Sequence, residues 1–127
     1  MRGVTHNGHK KLTRLELVLQ IHGEFRKSLE PIRATPLQAG VILFLRRHAE
    51  AKLTDAAASL GVSLPTLSVV VKDLVRKRWV SKRRSVKDDR AVCLRLSRHG
   101  EALAQRIKKQ VRDVSTQINY KIVAKQK

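Results

Sequence analysis

A short basic segment near residue 85 carries the most unusual arrangement of charged side chains in the sequence. Asp88 stands two residues before Arg90, a spacing that lets a carboxylate hold a guanidinium group through charge-assisted hydrogen bonds. An arginine oriented in this way suits a narrow groove of negative potential, such as the minor groove of DNA. The neighbouring cations suit flanking phosphates; they are Lys82, Arg83, Arg84 and Lys87. A solvated basic hairpin with a surface salt bridge is the alternative interpretation.

The overall charge points to the same kind of partner. The 127 residues include 28 lysines and arginines against 10 acids, for a formal net charge of +18 and a pI near 11.3. Such an excess favours a polyanion partner. An apolar content of 42% and this length indicate one folded domain. Acid pairs, nucleophile–base sets, metal clusters and glycine-rich phosphate loops are not apparent, so we expect no enzyme and no cofactor.

The basic segment must be carried by a hairpin. Val92, Leu94 and Leu96 alternate with Cys93 and Arg95, which is typical of a strand with one face turned inwards. From Trp79 onwards the pattern predicts a strand, a basic turn and a second strand. A lone Cys93 cannot form an intramolecular disulfide. We expect it to be a small buried hydrophobic residue, with a redox sensor as the alternative.

Two short helices precede the hairpin. Thr54 is predicted to cap the first, and Gly61 to end it in a left-handed conformation. Ser63 then caps the second helix, which runs to about Arg78. The small residue Ala57 lies four positions before Gly61 and allows the two helices to cross closely. This corner resembles the helix-turn-helix motif, whereas an ordinary helical hairpin in a bundle is the alternative.

Longer helices flank this motif. The first spans about 11–30, with a predicted inner stripe of Leu12, Leu15, Leu19, His22, Phe25 or Arg26, and Leu29. A second, largely apolar helix opens at Thr35-Pro36 and is expected at the centre of the core. Ser97 caps the last helix. Its apolar stripe is longer than a compact winged domain is expected to cover, which predicts a homodimer; it comprises Leu103, Ile107, Val111, Val114, Ile118 and Ile122.

The segment "LTDAAASLGVSLPTLSVVVKDLVRKRWVSKRRSVKDDRAVCLRLSRHGEAL" resembles the core of the MarR family of bacterial transcriptional regulators. The matching features are the Leu-Gly-Val-Ser turn, the Asp88-x-Arg90 wing, and Leu94-x-Leu96-Ser97 before His99-Gly100. The resemblance covers roughly residues 11–118. It implies a mainly α fold with a small β-hairpin, namely a winged helix-turn-helix with flanking dimerisation helices. It also implies a homodimer on a pseudo-palindromic operator, with the second helix in the major groove and the wing in the minor groove.

The resemblance and the charge pattern together select a set of DNA-binding residues: Ser63, Pro65, Thr66, Ser68, Val69, Lys72, Arg83, Arg84, Lys87, Asp88 and Arg90. The recognition helix is unusually apolar for the family, because Leu64 and Val69 stand where polar or basic residues are common. Val69 is expected to touch a thymine methyl, which leaves Thr66, Ser68 and Lys72 for polar contacts. The alternative function is a basic packaging or RNA-associated protein on the same fold, which binds nucleic acid without sequence preference.

Histidines suggest two further candidate sites, an effector pocket and a metal site. Members of the family often bind aromatic acids or phenols, and His22 with Phe25 is the candidate pocket; an interface histidine is the simpler interpretation. His6-x-x-His9 has metal-ligand spacing but no nearby carboxylate, so we expect no metal. Cys93 does not match the first-helix cysteine of the peroxide-sensing members.

The expected organisation is a flexible arm at 1–10 and a single MarR-like domain at 11–127. Within it the winged core spans about 35–97, and the dimerisation helices span about 11–30 and 98–124. The terminal dimerisation helix is expected to be short or merged with the long helix before it. No apolar run approaches the roughly 18 residues of a membrane span, and the start lacks a signal-peptide core. We therefore expect a cytoplasmic, nucleoid-associated bacterial protein.

Overall fold

A computed structural model describes residues 11–87 and 91–126 of the chain. Within these ranges the fold consists of five α-helices and a three-stranded antiparallel sheet, so the predicted mainly α class with a small β-hairpin is confirmed. The elements are α1 (Arg14–Leu29), α2 (Pro36–Arg47), β1 (Ala51–Lys52), α3 (Leu53–Leu60), α4 (Leu64–Arg76), β2 (Val80–Arg84), β3 (Val92–Leu96) and α5 (Arg98–Ile118).

Three predicted helix caps are confirmed. The Thr35 hydroxyl accepts the backbone N–H of Gln38 at 3.1 Å, and the Gln38 side chain accepts the N–H of Thr35 in return. The hydroxyl of Ser63 accepts from Thr66, and that of Ser97 accepts from Gly100 at 2.9 Å. Each cap satisfies backbone donors that the first helical turn leaves without a partner. The sequence therefore located the starts of α2, α4 and α5 correctly.

The predicted cap of α3 is wrong. The helix begins at Leu53, with Lys52 in the cap position, and Thr54 lies inside its first turn. The reason is the short strand β1, which pairs with β3 through Ala51↔Leu94 and Lys52↔Cys93 and so fixes where the helix starts. The predicted end is confirmed, since Gly61 has a φ of 70°. Its N–H and that of Val62 bond back to the last turn of α3.

The sheet has the strand order β1-β3-β2, with β3 in the middle. The predicted strand at Val92–Leu96 is confirmed, and Leu94 is fully buried against the helices. Cys93 is 7% exposed, which agrees with the prediction of a buried side chain. It stands between Lys52 and Arg83 on the neighbouring strands.

α2 lies at the centre of the core, as predicted. Val41 and Ile42 are inaccessible to solvent, and Leu45 is nearly so. The helix contacts α1, α3, α4, α5 and β3. An aliphatic helix that is apolar around most of its circumference is stable only when it is covered on most sides.

α1 packs on the chain through a face that only partly agrees with the predicted one: Phe25 and Leu29 lie inside as predicted. Leu17, Ile21 and Phe25, spaced by four, contact the body of the protein. The predicted inner residues Leu15 and Leu19 are instead 69% and 60% exposed, and His22 is exposed as well. α1 has apolar residues on two sides, and helical periodicity alone does not say which side the chain itself covers.

The apolar stripe of α5 is covered by the chain itself. Leu103 and Ile107 join the main core, and the later part forms a second cluster with α1. The members of this second cluster from the C-terminal region are Val114, Ile118, Ile122 and Val123. The expectation that a monomer would expose this stripe is therefore wrong, because α1 runs along α5 and buries it.

Residues after α5 continue it as a π-helical turn, Asn119–Val123, and a 3-10 turn, Ala124–Gln126. Within residues 91–126 no separate terminal helix follows. The side-chain oxygen of Gln126 accepts the backbone N–H of Leu12 at 2.8 Å. This bond ties the end of the described chain to the start of α1.

The start of α5 approaches β2 so closely that residue 100 must be glycine. A Cβ at Gly100 would fall on the backbone carbonyl oxygen of Trp79 and lie 3.2 Å from Leu96. We expect Gly100→Ala to lower the free energy of unfolding by about 2–3 kcal/mol, because backbone must move to make room. Urea unfolding measures the change. Gly23→Ala is the control, since a Cβ there meets no atom within 4 Å; a similar loss in both variants would contradict the steric explanation.

Candidate nucleic-acid interface

One face of α4 does not pack against the core of the chain. Leu67, Val71 and Leu74 are buried, whereas the opposite side of the helix is open to solvent. Five of the six predicted contact residues around α4 are exposed, namely Ser63, Pro65, Thr66, Val69 and Lys72, and Ser68 is half-buried. The helical period therefore brings most of the predicted set to one accessible surface.

Arg76 belongs to the same surface and was missed from the sequence. It is exposed and follows Val69 by seven residues, or two helical turns. The spacing of Pro65, Val69, Lys72 and Arg76 was the available signal. The guanidinium of Arg76 lies 3.2 Å from Asp73.

The N-terminal turn of α4 uses its own hydroxyl groups. The Ser63 hydroxyl donates to the hydroxyl oxygen of Thr66 at 2.8 Å and accepts the Thr66 N–H at 3.3 Å. These bonds cap the helix. They also engage Thr66, one of the two hydroxyl residues that the sequence assigned to polar contacts.

Asp73 fixes the C-terminal half of α4 to the rest of the fold. Its carboxylate accepts from the side-chain amide of the buried Gln38 at 2.6 Å and lies 3.4 Å from Lys77. The Lys77 ammonium also donates to the carbonyl of Arg33 and stands 4.6 Å from the centre of the Trp79 ring. Because these partners belong to several elements, they determine the direction of α4.

α3 and α4 are bent by 112° at their junction. This angle lies within the usual range for a helix-turn-helix. Among the described residues no single helix is long and apolar enough to cross a membrane; these two pass a length and composition test only as a bent pair.

β2 carries the basic side of the hairpin. After the buried Val80, residues 81–84 are exposed, as are Val86 and Lys87 beyond the strand. The Ser85 N–H donates to the Ala91 carbonyl oxygen at 2.9 Å. This bond connects the residue after β2 with the residue before β3. Asp88 and Arg90, for which a salt bridge was predicted, lie outside the described residues.

Arg83 forms a salt bridge with Glu50, a contact that the sequence did not predict. Its Nε and Nη2 both donate to one carboxylate oxygen of Glu50, at 3.0 and 2.6 Å. Glu50 lies in the connection between α2 and β1. The hydrogen bonds and charge of Glu50 raise the pKa of Arg83 above its usual value. The predicted phosphate ligand is thus anchored near the loop end of β2, with its side chain 60% exposed.

A small apolar cavity of about 180 Å³ lies between α1, α2 and α5. Phe25, one of the two residues predicted for a pocket, lines it. His22 does not, because it is on the exposed side of α1, and its part in an effector pocket stays a prediction. The other lining residues are Leu29, Pro36, Ala39, Gly40, Leu43 and Val111.

Within residues 11–87 and 91–126, no group of three histidine, cysteine or acidic side chains is arranged to hold a metal ion. His6 and His9 lie outside these ranges.

One known protein family matches part of this chain. Residues 35–91 match the model of the MarR family. No curated protein matches the sequence.

Solved structures share the fold. A cysteine-to-serine mutant of MarR from E. coli, complexed with operator DNA, has a TM-score of 0.78 and 22% identity, over 85% of this chain and 78% of that one. The transcriptional repressor CouR, bound to a 23-mer DNA duplex, has a TM-score of 0.72 and 28% identity, over 76% of this chain and 68% of that one. BpsR from Bordetella bronchiseptica, whose DNA binding is regulated by 6-hydroxynicotinic acid, has a TM-score of 0.75 and 17% identity, over 82% of this chain and 79% of that one.

The family model spans the two crossed helices and the first strand of the hairpin. It ends before Leu94-x-Leu96-Ser97 and His99-Gly100, which also carried the resemblance in the sequence. Residues 35–91 therefore match the MarR family model, and the chain has the winged helix-turn-helix fold of the MarR-family structures it resembles.

Proposed function

We propose that the chain is a DNA-binding transcriptional regulator that acts as a homodimer on a pseudo-palindromic operator. The observation that carries this proposal is the pairing of an exposed α4 surface with a basic hairpin that follows it directly. In this arrangement α4 enters the major groove and the hairpin acts as the wing. MarR and CouR, which share the fold, were both solved with DNA.

The proposed DNA contacts divide by chemistry. Pro65, Thr66, Ser68 and Val69 face the bases, whereas Ser63 caps the helix that presents them. The cationic side chains meet phosphates; they are Lys72, Arg83, Arg84 and Lys87. Arg90, oriented by Asp88, enters the minor groove.

The competing function is a packaging or RNA-associated protein that relies on charge alone. A competition shift assay separates the two. We expect DNA from upstream of the chain's own gene to compete at least about a hundredfold better than unrelated DNA at physiological salt, because specific complexes gain base contacts beyond the phosphate term. Equal competition by unrelated DNA would refute the regulator and support the alternative.

The homodimer is supported by the outer face of α1. Leu15, Val18 and Leu19 are each at least 60% exposed, and Tyr120 near the end of the chain is 76% exposed. A cluster of large exposed apolar side chains marks a contact surface. The proposed dimerisation helices are those at about 11–30 and 98–124, attached to a winged core at about 35–97, with a flexible arm at 1–10.

Leu19→Asp tests the dimer. We expect the wild-type chain to sediment as a dimer at micromolar concentration and the variant as a monomer, because an aspartate would be buried without a partner. Operator affinity should fall by about a hundredfold or more, since the two half-sites are then bound independently. Ala58→Asp introduces the same charge at an exposed position of α3, outside the proposed dimerisation helices, and should remain dimeric. A monomeric wild type would contradict the proposal.

A small aromatic effector is a further part of the proposed function. The cavity beside Phe25 is apolar, and its volume of about 180 Å³ is close to that of an engineered cavity that holds one benzene ring. BpsR, a protein of the same fold, is regulated by 6-hydroxynicotinic acid.

Substitution of Asp88 distinguishes an Arg90 side chain that Asp88 orients from a basic hairpin that is only solvated. Asp88→Ala makes the wing more basic, so electrostatic attraction alone predicts tighter binding. If Asp88 orients Arg90, the variant binds DNA more weakly. Arg90→Ala should cost about 1–3 kcal/mol per contact, and Asp88→Ala should add little once Arg90 is gone. Fluorescence anisotropy with operator DNA measures all three variants.

Glu50→Ala is the matched control, because it also removes one acid from the same basic region. Glu50 binds Arg83, a residue of the same hairpin. We expect its removal to tighten binding severalfold and to steepen the salt dependence by about one unit of slope, since Arg83 becomes available to a phosphate. Tighter binding in both variants would refute the positioning role of Asp88.

A further inference from the structure

The centre of the exposed α4 surface is apolar. Val69 is 69% exposed and lies on the side opposite the buried Leu67 and Val71. Pro65, one helical turn earlier, is exposed beside it. The part of α4 that faces outward most directly therefore presents carbon atoms rather than hydrogen-bonding groups.

Of the polar neighbours, Thr66, Ser68 and Arg76 are committed or distant, and Lys72 is proposed to meet a phosphate. The hydroxyl oxygen of Thr66 accepts from Ser63 within the helix cap, and Ser68 is half-buried. Arg76 is paired with Asp73 and stands two turns, or about 10 Å, from Val69 along the axis. Their capacity for bidentate recognition of a base at the level of Val69 is therefore small.

An apolar side chain finds one apolar partner in the major groove, the C5 methyl group of thymine. Valine suits this contact because its branched side chain strongly prefers one rotamer in a helix and loses little entropy on binding. Removal of water from both surfaces supplies the free energy.

We infer that Val69 is a specificity-determining residue that selects a thymine at one position in each operator half-site through its methyl group. The inference rests on the proposed DNA-binding function. It assigns the base preference to an apolar contact instead of the hydroxyls of Thr66 and Ser68.

The test uses an operator obtained by selection from a random DNA pool. Each thymine is replaced in turn by deoxyuridine, which removes only the methyl group and keeps base pairing. We expect one symmetry-related pair of thymines to respond, with affinity about threefold to fivefold lower for each methyl removed. Val69→Ala should bind the thymine and deoxyuridine operators equally well.

Val86→Ala is the control, because Val86 is an equally apolar side chain that is 92% exposed near the wing. This variant should retain the full response to deoxyuridine at the pair read by Val69. Thermal unfolding should show that both variants are as stable as the wild type, since neither side chain belongs to the core.

Specific binding without any response to deoxyuridine, or an undiminished response in Val69→Ala, would overturn the inference and leave the regulator intact. Failure of the selection to enrich any sequence would instead refute the proposed regulator itself.

Discussion

The burial of α2 is the constraint on which the remaining structure depends. With aromatic residues at only 3% of the sequence, the core is filled by aliphatic side chains, and Val41, Ile42 and Leu45 stand at its centre. Burial of each such side chain contributes about 1.5–3 kcal/mol. Four helices and β3 cover this one helix. The elements that carry the charged surface are thus placed by apolar packing, which the repulsion among many cations does not oppose directly.

Acids occupy particular positions on this basic protein. Asp73 accepts from Gln38 on α2 and pairs with cations at the end of α4, and Glu50 binds Arg83 of the wing. A carboxylate that holds a lysine or arginine reduces repulsion locally and restricts where the cation points. Both described pairs connect elements that carry proposed DNA contacts to the part of the fold beneath them. Acidic residues therefore serve the geometry of the basic surface while lowering its net charge only slightly.

Much of the candidate interface was predictable because it follows from helical geometry. A capped helix with Leu67 and Leu74 inside must present Val69 and Lys72 outside. α1 shows the limit of the same reasoning, because it has apolar residues on both sides. Its period is correct, but the side that the chain covers depends on how α5 lies against it.

The sequence by itself determined the local features of this protein: the helix starts at Thr35 and Ser63, and the end of α3 at Gly61. These features arise between residues a few positions apart, through hydrogen bonds and allowed backbone angles, so they leave a pattern in the chain. Only the tertiary structure decided that β1 precedes α3, that Asp73 meets Gln38 and that Glu50 holds Arg83. Those partners are more than thirty residues apart, and nothing in the residues between them indicates the contact, because the packing of α2 is what brings them together.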